Sequence, residues 1–182
     1  TIKGDAARRK ERNDDGTETI TEDWWRTSAK YDYFMTSKWY LFGEGRYETD
    51  KIADLDRRVV TGGGLGYQWI ETDKTHLGTE IGLACVQESY EDDGTDNSLS
   101  ASAGYHFDHK FDDTFSFISD LTYYPSTEQI SDYYLTSTHE LRAKINDHLF
   151  TNFRVLFDYD DTPAPGKGST DVKYLFGIGL TF

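Results

Sequence analysis

Read in steps of two, the chain alternates. In its last stretch, Thr170 to Phe182, the residues Val172, Tyr174, Phe176, Ile178, Leu180 and Phe182 are apolar or aromatic. Between them stand Asp171, Lys173, Leu175, Gly177, Gly179 and Thr181. A period of two predicts a β-strand with one apolar face. The pattern recurs upstream. Trp25, Thr27, Ala29, Tyr31 and Tyr33 oppose Arg26, Ser28, Lys30 and Asp32. Trp39, Leu41, Gly43, Gly45 and Tyr47 oppose Phe42, Glu44, Arg46 and Glu48. Thr61, Gly63, Leu65, Tyr67 and Trp69 oppose Arg58, Gly62, Gly64, Gly66 and Gln68. Leu77 to Cys85 oppose Gly78, Glu80, Gly82 and Glu88. Leu99 to Phe107, Phe115 to Tyr123, Leu135 to Ile145 and Phe153 to Tyr159 continue it, with Asp120, Glu140, Arg142, Lys144, Arg154 and Asp158 on the polar parity.

This makes nine clear strands. Thr1 to Asn13 would be a tenth, on a weak apolar parity of Ile2, Gly4 and Ala6; residues 1–21 read as a poorly patterned first strand and loop. Short connections follow Phe34, Trp69, Phe107 and Ile145; long ones follow Thr49, Tyr90, Tyr124 and Tyr159. Short turns at one end and long loops at the other, with one apolar and one polar face per strand, predict a single-domain, all-β, antiparallel up-and-down transmembrane β-barrel, its apolar face toward lipid. The last strand then descends to the periplasmic rim and must pair with a first strand to close the barrel. Bacterial barrels of this kind have even strand numbers, so Thr1 to Asn13 is needed as a strand.

Composition fits this. No run approaches the roughly 18 apolar residues of a membrane helix. Aromatic residues make up 15% of the chain, with 13 tyrosines. They sort toward strand ends: Trp25, Trp39, Tyr47, Trp69, Tyr123 and Tyr159 are the expected interfacial girdle residues. A net charge of −14 argues against nucleic acid as a partner, because phosphate binding needs a cationic surface. The only cysteine, Cys85, permits no internal disulfide. The chain opens on Thr1-Ile2-Lys3-Gly4-Asp5 without a signal-peptide pattern, so the export signal is expected to have been removed or to precede a late start.

The segments Ala29 to Arg58, Gly62 to Thr72, Ala103 to Asp113 and Leu156 to Gly166, with the Phe-terminated last strand, resemble the YdiY-like family of salt-induced outer-membrane proteins. The resemblance covers the chain from Trp24 onward. It implies an outer-membrane barrel with no established catalytic residues or cofactor. It also implies a further strand pair ahead of Thr1 to Asn13, hence twelve strands in the complete protein. Partners expected on this reading are outer-membrane lipid, lipopolysaccharide and the barrel-assembly machinery. Tyr174, Phe176, Gly177, Ile178, Leu180 and Phe182 form the lipid-facing strand and insertion signal, with Leu175 departing from the commoner polar residue.

The candidate chemistry lies on the polar parity. Arg26, Lys30, Glu44, Arg46, Arg58, Glu80, Asp120, Glu140, Arg142, Arg154 and Asp158 are expected to form a lumen charge network, either a plug of ion pairs or a narrow path for ions and small solutes. His106 and His109, with Asp108, Asp112 and Asp113, read as polar rim residues on a short turn. His139 falls on the apolar parity, where an ionisable group is costly and could mark a subunit contact. Asp92, Asp93, Asp160 and Asp161 are weak candidates for cation binding in outer loops. The leading expectation is a non-enzymatic envelope protein. The alternatives are an outer-membrane phospholipase or protease, for which no Ser/His/Asn or Asp/His set is evident, and a soluble barrel with its apolar face inward.

Overall fold

The computed structural model describes residues 2–12, 18–52, 55–90, 94–127, 132–163 and 168–180. Ten strands follow in chain order: β1 (Ile2–Arg12), β2 (Glu18–Phe34), β3 (Trp39–Asp50), β4 (Leu55–Glu71), β5 (Thr75–Tyr90), β6 (Gly94–Lys110), β7 (Phe115–Pro125), β8 (Tyr133–Lys144), β9 (Leu149–Asp160) and β10 (Thr170–Leu180). Each pairs antiparallel with the next, in one sheet ordered β1 to β10. The sheet curls until side chains of β2, β3 and β4 meet those of β9 and β10 across its concave side.

The apolar parity points outward. Tyr174, Phe176 and Ile178 are 66%, 84% and 75% exposed, and Ile81 on β5 is 66% exposed. The charged parity points inward, where Glu48, Asp50, Arg58 and Asp158 are buried. This orientation removes the soluble-barrel alternative, which needs the apolar face inside. Gly177 is an exception within the expected outward set: it lies on the inward parity, against the Asn152 amide on β9. Phe182, and the loop residues Asp92 and Asp93, fall outside the described residues.

The four short turns share one device. Thr36, Thr72, Asp112 and Asn146 each accept backbone N–H bonds from residues two or three further on, at 2.7–3.2 Å. A short polar side chain folding onto its own backbone pre-forms such a turn. The long strands β2, β4, β5 and β6 carry 16 or 17 residues each, more than the about nine to eleven needed to cross a bilayer. Two sequence boundaries move for this reason. β2 starts at Glu18 rather than Trp25, and β6 at Gly94, which has φ 84°. The added segments project as a paired ribbon and need no apolar face, so alternation does not mark them. Within the ribbon, Arg8 lies 3.9 Å from Asp23.

Of the closing partners the sequence leaves open, β1 is not the one seen against the last strand. The Thr1 to Asn13 segment does supply a strand, but among the described residues β10 pairs only with β9 and β1 only with β2. Among the described residues the sheet is therefore a half-barrel, with β1 and β10 at its two ends. Inside, Val60, Ala84, Val86, Tyr124 and Tyr134 form a buried cluster toward the long-loop end.

Candidate functional site

The inward side chains form three layers. Toward the long loops, Arg26 on β2 bridges Glu48 on β3 at 2.7 Å and Asp158 on β9 at 2.6 Å. Arg58 on β4 pairs with Glu88 on β5 and reaches Asp160 on β9 at 2.6 Å. Its guanidinium lies over the Tyr134 ring, 4.3 Å from the centroid, while the Tyr134 hydroxyl donates to Asp158 at 2.9 Å. Lys173 on β10 reaches Asp50 on β3 at 3.0 Å and also meets Asp171. These bridges tie the first strands to the last ones straight across the lumen.

In the middle layer, the Tyr124 hydroxyl on β7 stands between two residues of β3. Arg46 donates to it at 3.2 Å, and it donates to Glu44 at 3.0 Å. Arg46 also approaches the Tyr134 hydroxyl at 3.5 Å. Toward the short turns, Lys30 pairs with Glu80, which also accepts from the Tyr40 hydroxyl at 2.7 Å. Asp120 takes His106 at 2.6 Å and Lys3 at 3.0 Å. Glu140 accepts from Arg142 at 2.9 Å and Asn152 at 3.0 Å. Between the upper and lower layers lies a cavity of about 390 Å³ that includes Arg26, Glu44, Arg46 and Arg154 on its wall and extends to Gln68 and His76 near the short turns.

Several expected placements change. Asp160 is no loop ligand: β9 carries it inward and Arg58 engages it. Asp161 is exposed and accepts from the Tyr159 hydroxyl at 3.3 Å. Lys144 leaves the lumen for the rim, where it pairs with Asp147 at 2.7 Å. His106 and His109 belong to β6 rather than to the turn; His106 points inward to Asp120, and His109 Nδ1 meets the Thr75 hydroxyl at 2.8 Å. His139 faces outward, 2.9 Å from the Ser119 hydroxyl and stacked on Phe117. Ser119 is only 4% exposed, and its hydroxyl is also bonded to Tyr105 at 3.0 Å. Among the described residues no carboxylate lies against the His139 ring.

Tyr40, Tyr124 and Tyr134 are lumen residues that charge patterning misses, and Asp50 and Lys173 are charges left out of the expected network. The signal available was parity: each shares a face with the inward charges.

A family model described as "Protein of unknown function, DUF481" matches residues 1–182. Comparison with curated protein sequences found no match. Among solved structures, the NanC porin is similar at 9% identity and a TM-score of 0.61, covering 100% of this chain and 94% of its own. The CymD monoaromatic hydrocarbon channel (10% identity, TM-score 0.45) and the Pseudomonas putida toluene transporter TodX (13%, 0.41) are matched over 69% and 68% of their lengths.

Proposed function

The chain belongs to the DUF481 family, of which the YdiY-like proteins are members, and from that premise we propose that it is a bacterial outer-membrane β-barrel whose lumen is closed to all but ions and very small solutes. The observation that carries this is the set of ion pairs across the lumen: Arg26–Asp158, Arg58–Asp160 and Lys173–Asp50. Narrow barrels are filled by their own side chains, and open aqueous channels belong to much wider ones. The apolar outward face and the porin-like fold support the membrane setting. The role is non-enzymatic and structural in the envelope, with the salt response that the family resemblance implies; lipid and lipopolysaccharide are its surroundings, and the barrel-assembly machinery inserts it.

Planar-bilayer recording of the purified protein tests this. Wild type is expected to show conductance far below that of a sixteen-stranded porin. Arg58→Ala, which leaves Glu88 and Asp160 without their shared cation, is expected to open measurable current. A large, stable conductance in the wild type contradicts the reading.

A further inference from the structure

Most lumen cations are engaged by carboxylates. Arg26, Lys30, Arg58, Arg142, Lys173 and Lys3 each have one within ion-pairing distance. Arg46 and Glu44 are different. Among the described residues Arg46 bonds only to the Tyr124 and Tyr134 hydroxyls, and Glu44 only to the Tyr124 hydroxyl. Both line the cavity. A cation and an anion are thus anchored on either side of one phenol, kept apart, and turned toward the same space.

They sit two residues apart on β3, so both project from one face at a separation of about 6–7 Å. Both are half-buried; Arg46 also lies in the field of Glu48 and Asp158, whereas Glu44 has no cation within ion-pairing distance among the described residues. Tyr124 is itself buried, held by the stacked Tyr134 ring at 6.0 Å, so the phenol acts as a fixed spacer.

We infer that Arg46 and Glu44 form a subsite for a small zwitterionic solute, its carboxylate on the Arg46 guanidinium and its ammonium on the Glu44 carboxylate. A simple anion placed on Arg46 would lie close to Glu44 and be repelled; a simple cation would meet the reverse. Only a solute carrying both signs satisfies both walls. The cavity volume of about 390 Å³ accommodates a molecule of a few carbons. This rests on the membrane-barrel reading for its setting, and on the lumen geometry alone for its chemistry.

The test is titration calorimetry on the detergent-solubilised full chain with three probes of matched length: γ-aminobutyrate, butyrate and butylamine. γ-Aminobutyrate is expected to bind at least tenfold tighter than either of the others. Glu44→Gln and Arg46→Gln are each expected to weaken it about tenfold. Should a single variant fail to fold, the exchanged double variant Glu44→Arg with Arg46→Glu keeps both charges and is expected to retain the preference. No binding by any probe, equal binding by all three, or tighter binding of butyrate or butylamine overturns the inference. The measurement is made without a membrane, so a large conductance in bilayers would remove the closed-lumen reading and leave this result unaffected.

Discussion

Tyr40 lies where a side chain on Gly66 would be. A Cβ at that glycine would run into the ring, and the ring's position lets its hydroxyl reach Glu80. Gly66→Val is expected to push Tyr40 aside and destabilise the protein by about 1–3 kcal/mol, as overpacking does; urea unfolding in lipid vesicles would show it. At the rim, the N–H groups of Phe115 and Thr114 bond to the Asp112 carboxylate and hold it below the ordinary carboxylate range. Because the folded pKa is depressed, this contribution is present above the unfolded pKa and disappears as pH falls through the lower folded value. Amide-exchange protection at Phe115 is therefore expected to persist below the pH where a free aspartate titrates, and Asp112→Ala to abolish that persistence. The contrast shows what is legible in sequence. Charges such as Arg26 and Asp158 announce an interior network by their parity. That Tyr124 separates Arg46 from Glu44 depends on how β7 faces β3 across the lumen, which no local pattern records.

The hairpins were nearly all readable, because apolar alternation and turn residues agree along β3, β5, β7, β8, β9 and β10. Their outer extensions were not, since a two-stranded ribbon beyond the bilayer needs hydrogen bonds but no apolar face. Nor was the absence of a β1–β10 ladder among the described residues, because pairing of chain ends leaves no local mark. On the outward side of β6, β7 and β8, the Tyr105, Ser119 and His139 side chains satisfy one another through the Ser119 hydroxyl. Ser119→Ala removes the shared partner and is expected to cost about 1 kcal/mol, while His139→Phe keeps the stack on Phe117 and removes a polar ring from the apolar face. Thermal unfolding in vesicles should find the first variant weaker and the second at least as stable as wild type. If both lose stability equally, the ring is needed for a contact beyond these residues.

The whole molecule is a sheet turned inside out relative to a soluble domain. Its outward face carries Phe176, Ile178, Leu180 and Ile81 largely exposed, and its inward face carries paired charges. Such an arrangement is stable only if the medium outside is apolar, since exposed apolar surface of this extent in water drives association. The net charge of −14 is then divided between a lumen where carboxylates are mostly paired and rims that meet water. The most direct measurement of this orientation places a nitroxide on Leu175, Phe176 or Ile178, each as a single cysteine in a Cys85→Ser background, in the protein reconstituted into lipid bilayers. Collisions with lipid-soluble oxygen and with a water-soluble nickel chelate are then compared. Labels at 176 and 178 are expected to be reached by oxygen and shielded from nickel, and the label at 175 to be shielded from oxygen. Ready access of nickel to 176 and 178, with oxygen favouring 175, would contradict the account.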